Sequence, residues 1–249
     1  MSQGEMFSGE GGGNSAEVFS YSRLGTFKKC RLAYRLRYVD KLASEDEGVE
    51  AFMGKQVHSA LEFLYREVKE GRLPDLAEVL SVYESHWAQQ DSPRVVVVKR
   101  GMEKKDFLAK GKDLIERYYG THRPFEGGEI LLLEGRIFLD LVPGTGARFQ
   151  AILDRLMRAP DGALEIHDYK TGKRLPTQDA ADEDEQLALY EIAVRGHFGH
   201  EGSVRLVWHY LAHGKALISR RSGTDLEAVR GSLWGQVEAV RKARESGFF

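Results

Sequence analysis

Two carboxylates and an amine stand close together in the segment ILDRLMRAPDGALEIHDYKTGK, residues 152–173. Ala159-Pro160-Asp161-Gly162 spells a turn, because Pro presets φ and Gly accepts positive φ. The half-apolar runs on either side read as the two strands of a hairpin. Residues two apart in a strand share a face. Asp168 and Lys170 therefore point the same way, Glu165 points the other way, and Asp154 comes alongside from the partner strand. Hard divalent cations such as Mg²⁺ take oxygen ligands, keep several waters and use one or two protein carboxylates. A lysine beside such an ion can orient the attacking water and face a developing negative charge. The set is a minimal kit for metal-assisted phosphodiester hydrolysis. The alternative reading is an exposed hairpin whose charges face water, since Asp and Lys alternate on many solvated strands.

The elements that must position these groups follow from periodicity. EILLLEGRIFLDL, beginning near residue 129, is a long strand stopped by the Pro143-Gly144 turn. Residues 147–157 and 163–170 make the hairpin. Residues 51–71 form a helix whose core stripe is Val57, Leu61, Leu64 and Val68. His58 edges that stripe, one turn before Glu62. It is an ordinary flanking residue unless it faces Asp154 and Asp168. The segment about 181–198 is a helix with acids near its start, where the dipole favours them. It sets Gln186 and Tyr190 at i,i+4 on one face. Residues 203–213 and the following KALISRR read as strands, and about 224–246 as a closing helix.

Ahead of this sheet, residues 17–42 read as a helix N-capped by Ser22. Its aromatic residues are interleaved with Arg23, Lys28, Lys29, Arg31, Arg35, Arg37 and Lys41. That pattern suits either phosphate contact or a solvated basic face. Residues 43–50 form an acidic loop. Helices at about 75–90 and 103–121 lie in a stretch, 72–122, that reads as a helical insertion. It either guides a nucleic-acid strand or only solubilises a surface.

The 249 residues suit one large domain, with 42 % hydrophobic residues to build a core. A formal net charge of −2 advertises no global basic field, so a polyanionic partner has to be met by local patches. The single cysteine, Cys30, excludes an intrachain disulfide and fits a reducing, cytoplasmic setting. No run approaches the roughly 20 apolar residues of a membrane span. Residues 1–16, polar and Gly-rich, read as a flexible leader ahead of a single domain over 17–249.

The order helix, three antiparallel strands, helix, strand resembles the PD-(D/E)xK nuclease core, and the local motifs resemble its RecB-type branch. Gly54-Lys55-Gln56-Val57-His58 is similar to the G-x-x-x-H element of the first helix. Asp154-Arg155 is similar to the first acidic motif, and Asp168-Tyr169-Lys170-Thr171-Gly172 to the D-Y-K-T-G element. Gln186-Leu187-Ala188-Leu189-Tyr190 is similar to the Q-x-x-x-Y motif, and Ser20-Tyr21-Ser22 with Phe27 to Tyr34 to the opening helix. The resemblance spans about 17–215. It implies an α/β, restriction-endonuclease-like fold: a mixed central sheet of about five strands flanked by helices.

It also implies a DNA nuclease, of exonuclease type, acting in repair, recombination or phage defence, with DNA as substrate and a helicase or repair protein as possible company. Asp154, Asp168, His58 and the Tyr169 carbonyl would hold Mg²⁺ or Mn²⁺. Lys170 would activate water, Gln186 and Tyr190 would support the site or touch DNA, and Thr171 would donate from behind. The fold also serves as an inactive DNA-binding clamp, and RNA is the alternative substrate. Many relatives carry an iron–sulfur cluster on four cysteines. Cys30 stands where the first belongs, but one thiolate cannot hold such a cluster, so Cys30 is expected to be a small buried apolar residue.

Overall fold

The structure, a computed structural model, describes residues 17–42 and 44–249. The expected leader at 1–16 lies outside the described residues. In chain order the elements are β1 (Glu17–Phe19), α1 (Tyr21–Lys29), α2 (Arg31–Tyr34) running into a π-turn (Arg35–Val39), and β2 (Glu47–Gly48). There follow α3 (Val49–Lys69), α4 (Leu76–Gln90), β3 (Val95–Val96), α5 (Lys104–His122), β4 (Glu129–Asp140), β5 (Ala147–Arg158) and β6 (Leu164–Lys170). The chain ends with α6 (Gln178–Asp182), α7 (Glu185–Phe198), β7 (Val204–Tyr210), a 3₁₀ turn (Leu211–His213), β8 (Lys215–Ser219) and α8 (Gly223–Ser246).

A mixed sheet runs β1-β5-β6-β7-β8, with β4 paired to β5 as well. β4, β5 and β6 are antiparallel, β7 joins β6 in parallel and β8 returns antiparallel. Two short strands share one edge of β5. β1 runs parallel to residues 147–149, and β6 pairs only with residues 155–158. The sheet therefore splits between them, and Asp154 stands at the fork.

Alternation decides the two faces. Leu164, Ile166, Leu206 and Trp208 pack with Leu187, Tyr190, Leu233 and Val237 in the layer of α7 and α8. Tyr169 and Met157 pack with Val57, Leu61, Leu64, Tyr83, Phe107 and Tyr118 in the layer of α3, α4 and α5. Val57, Leu61 and Leu64 are wholly buried. Each such side chain contributes about 1.5–3 kcal/mol. α4 opens on a capping box, in which Asp75 and Glu78 satisfy each other's backbone N–H.

The N-terminal segment differs from the single helix expected from its pattern. Ser20 rather than Ser22 caps α1, and β1 precedes it. Cys30 adopts an extended backbone (φ −159°, ψ 109°) that ends α1. Its Sγ then accepts from Ala33 N–H at 3.4 Å to start α2. Cys30 is exposed, contrary to the expected buried apolar role, because a side chain that caps a helix break faces outward with the turn. Arg23 leaves the basic face altogether: it bonds the Tyr34 hydroxyl at 3.0 Å and lies over the rings of Phe19 and Tyr38. The expected helix at 181–198 is two helices, broken where Asp184 caps α7 through the N–H groups of Gln186 and Leu187. The acidic loop is shorter than expected, because β2 and the first turn of α3 take residues 47–50.

Candidate active site

Three acids lie in a row across neighbouring strands. Leu133 pairs with Arg155 and Gly135 with Leu153, so Glu134 of β4 stands opposite Asp154 of β5. Arg155 pairs with His167, so the next position sets Asp154 opposite Asp168 of β6. In β7, Trp208 continues the row beside Asp168. The row coincides with a kink. Glu134 has φ +43°, an uncommon left-handed conformation for a residue with a side chain. Phe149, Ala151 and Leu153 face the α7–α8 layer, and so does Leu156, so the alternation of β5 changes phase at Asp154. Arg155 accordingly turns to the other layer, 3.7 Å over the Tyr65 ring.

His58 reaches this row from α3. Its Nδ1 lies 3.3 Å from Asp154 Oδ1 and 3.7 Å from Glu134 Oε1. Its Nε2 donates to the Tyr169 carbonyl at 2.9 Å. Burial works against the imidazolium, but hydrogen bonds to Asp154 and Glu134, then the charges of Asp154 and Asp168, outweigh it and raise the His58 pKa to about 10. Asp154 Oδ2 accepts the Tyr169 backbone N–H at 2.7 Å. Past His167, β6 no longer pairs with β5, and this side chain takes the place of the missing ladder bond.

Asp168 is buried and pairs with Lys170 Nζ at 2.8 Å. Burial pushes its carboxyl up, Lys170 opposes that, and Asp154 adds to it. Lys170 Nζ also donates to Gln186 Oε1 at 3.3 Å, and Gln186 Nε2 donates to the Tyr190 hydroxyl at 2.9 Å. A helical i,i+4 pair thus holds the amine from the α7 side. The Lys170 ammonium sits 4.5 Å from the Trp208 ring centre, and a groove of about 390 Å³ opens beside it.

Comparison with known proteins fits this constellation to a family. The sequence profile of the PD-(D/E)XK nuclease superfamily matches residues 18–245. The chain belongs to the PD-(D/E)XK nuclease superfamily. Among solved structures it is similar to a candidate exonuclease from Eubacterium rectale, at 13 % identity and TM-score 0.56, covering 93 % of this chain and 83 % of that one. That likeness is one of fold, here restriction-endonuclease-like. No curated protein matches the chain.

PD-(D/E)XK nucleases use divalent metal ions, and the donors here suit one. A His nitrogen and the carboxylate oxygens of Glu134 and Asp154 lie within 4.8 Å of one another. This is a hard, mostly oxygen set of net negative charge. Buried Asp168 borders it, and its Oδ2 meets Lys170 without the angle of a regular hydrogen bond.

The structure therefore gathers His58, Asp154, Asp168, Tyr169, Lys170, Gln186 and Tyr190. Thr171 packs behind them: a Cβ on Gly54 would lie 3.1 Å from its Oγ1. Sequence reasoning missed Glu134. Its signal was available: an acid followed by Gly135 inside an apolar strand, three strands of known order, and the antiparallel register that sets it against Asp154. Glu165 faces away, bonded to Arg205 at 2.7 Å.

Proposed function

We propose that this nuclease is a divalent-metal-dependent deoxyribonuclease that degrades DNA from its ends, as an exonuclease, in repair, recombination or phage defence. The observation that carries the reading is the convergence of His58, Glu134 and Asp154 beside the Asp168–Lys170 pair. His58, Glu134, Asp154 and Asp168 would hold Mg²⁺ or Mn²⁺. The bound ion would supply Lewis-acid activation of the phosphoryl group and a lowered pKa for a coordinated water.

The chain's own groups do the rest. Asp168 and Gln186 hold the Lys170 ammonium at the row, where it orients the attacking water and faces the negative charge that grows on the phosphate. The Lys170 ammonium, a donor only, takes the Gln186 oxygen, and the amide nitrogen then donates to the Tyr190 hydroxyl. The Tyr169 carbonyl accepts from His58 Nε2, which leaves Nδ1 directed at the carboxylates. This is the bond that orients an imidazole ligand. The Tyr169 carbonyl oxygen keeps a second lone pair, through which it would serve as a further ligand to the ion. Among the described residues no helix is long and apolar enough to cross a membrane, and we place the enzyme in the cytoplasm with its DNA.

The test is cleavage of end-labelled single- and double-stranded DNA, with matched RNA alongside, by wild type and Lys170→Ala in Mg²⁺ or Mn²⁺. DNA cut progressively from one end by wild type, with a rate lower by about 10²–10³ in the variant, supports the reading. RNA as the better substrate replaces DNA in it. Binding without cutting makes the protein a clamp, and a variant as fast as wild type removes Lys170 from catalysis.

A further inference from the structure

Beyond Lys170 the chain runs Thr171-Gly172-Lys173, and a second cavity of about 200 Å³ opens there against α5. Lys99, from the turn before α5, Lys110 of α5 and Lys173 converge on it. Among the described residues none of these three amines has an ion-pair partner or a side-chain hydrogen bond. Other lysines of the same region are neutralised: Lys104 pairs with Asp91, Lys105 with Glu103 and Lys112 with Glu84. Burial, then repulsion from Lys173 and Lys99, holds the Lys110 amine below its usual range, with Glu50 in partial opposition. Glu50 also lines the cavity, so three amines face one carboxylate, and the excess positive charge costs free energy unless a further anion joins them.

Gly172 lines both this cavity and the groove beside Lys170, Trp208 and Tyr210. Its backbone does not need glycine: a Cβ there would meet nothing within 4 Å, and its φ is not left-handed. Gly172 thus stands between the lysine cavity and the groove beside Lys170, with open space above it. A glycine at such a point lets another backbone approach closely.

We propose that Lys99, Lys110 and Lys173 form a subsite for the backbone phosphates of a single DNA strand, which crosses Gly172 to reach Lys170. The inference rests on the nuclease reading and adds the strand's path to it. It gives residues 72–122 a share in the substrate, through Lys99 and Lys110. Met53, Met102 and Phe107 wall the cavity, and its volume of about 200 Å³ is too small for a duplex.

The test is binding of a fluorescent single-stranded oligodeoxynucleotide by the full chain in EDTA, followed by anisotropy over a range of salt. Lys99→Ala/Lys110→Ala/Lys173→Ala should weaken binding at least about tenfold and reduce the slope of log Kd against log salt by about 2, three phosphate contacts at roughly 0.7 each. Gly172→Val, which keeps every charge, should also weaken binding with Tm unchanged. Lys105→Ala, which removes a paired lysine of the same helix, should leave Kd within twofold. Lys173→Glu, outside every helix and strand, gives the same readout if the triple variant does not fold. An unchanged Kd and salt slope in the lysine variants overturns the subsite, while cleavage by wild type would still uphold the nuclease. A wild type that neither binds nor cuts DNA overturns both.

Discussion

The backbone N–H of Tyr169 donates to Asp154 Oδ2 at 2.7 Å, across the point where β5 and β6 part. One carboxylate thus does two jobs: it closes the fork of the sheet with Oδ2 and faces His58 with Oδ1. Asp154→Asn keeps an acceptor for Tyr169 but loses the charge. Cleavage should fall by about 10²–10³ while Tm stays within a few degrees. Asp154→Leu also strands the Tyr169 N–H, and should cost a further 1–3 kcal/mol or so of stability in a urea melt.

Glu134 is held at φ +43°, a conformation that costs about 1–3 kcal/mol and aims its carboxylate at His58. Glu134→Gly should therefore raise thermal stability and lower metal affinity together. Glu134→Gln should weaken Mn²⁺ binding by about 10–100-fold without the gain in stability. Calorimetric titration with Mn²⁺ beside a thermal melt separates the two effects. Equal stability of the two variants would show that the backbone there is unstrained.

Gly111 lies inside α5, where helix propensity alone favours Gly→Ala by about 1 kcal/mol. The packing has the opposite sign. A Cβ there would lie 1.9 Å from the Tyr83 hydroxyl and 2.5 Å from its ring carbon, and Tyr83 is wholly buried. Gly111→Ala should destabilise by about 1–3 kcal/mol, the range for overpacking, and Gly111→Ala with Tyr83→Phe should recover part of it. Both effects are read from urea midpoints.

Asp161, in the hairpin turn, is bonded to both Arg205 Nη atoms at 2.7 and 3.0 Å and to Ala163 N–H. The Arg205 hydrogen bonds, followed by the backbone bond from Ala163, lower its pKa to about 2. A carboxyl depressed on folding stabilises above its unfolded pKa of about 3.9, and that contribution disappears as pH falls toward 2. Asp161→Asn should lower Tm slightly at pH 6, Asp161 being exposed. The difference from wild type should close between pH 4 and pH 2.

Local patterns made the hairpin and its charged face legible: Pro160-Gly162 turns the chain, and two-residue periodicity put Asp168 with Lys170. Helical spacing likewise paired Gln186 with Tyr190 and set His58 at the edge of its stripe. Features fixed by distant partners were not legible. β1 is three residues long and exists because Ala147 to Phe149 offer it an edge, which nothing in Glu-Val-Phe announces. The break at Cys30 rests on an extended cysteine that caps the next helix, with no Gly or Pro to announce it. Glu134 joins His58 only through a left-handed backbone that no local rule assigns to a glutamate. The three unpaired lysines are scattered over 99–173, and only the placing of α5 beside the end of β6 brings them together.

The central claim is that His58, Glu134 and Asp154, with Asp168 beside them, form one ion site next to Lys170. A crystal soaked in Mn²⁺ and measured for anomalous scattering tests it most directly. The expected result is a peak bonded to a His58 nitrogen and to Asp154, Glu134 and Asp168 oxygens at about 2.0–2.3 Å. A peak that avoids His58, or no peak with His58 still against the two carboxylates, would contradict it.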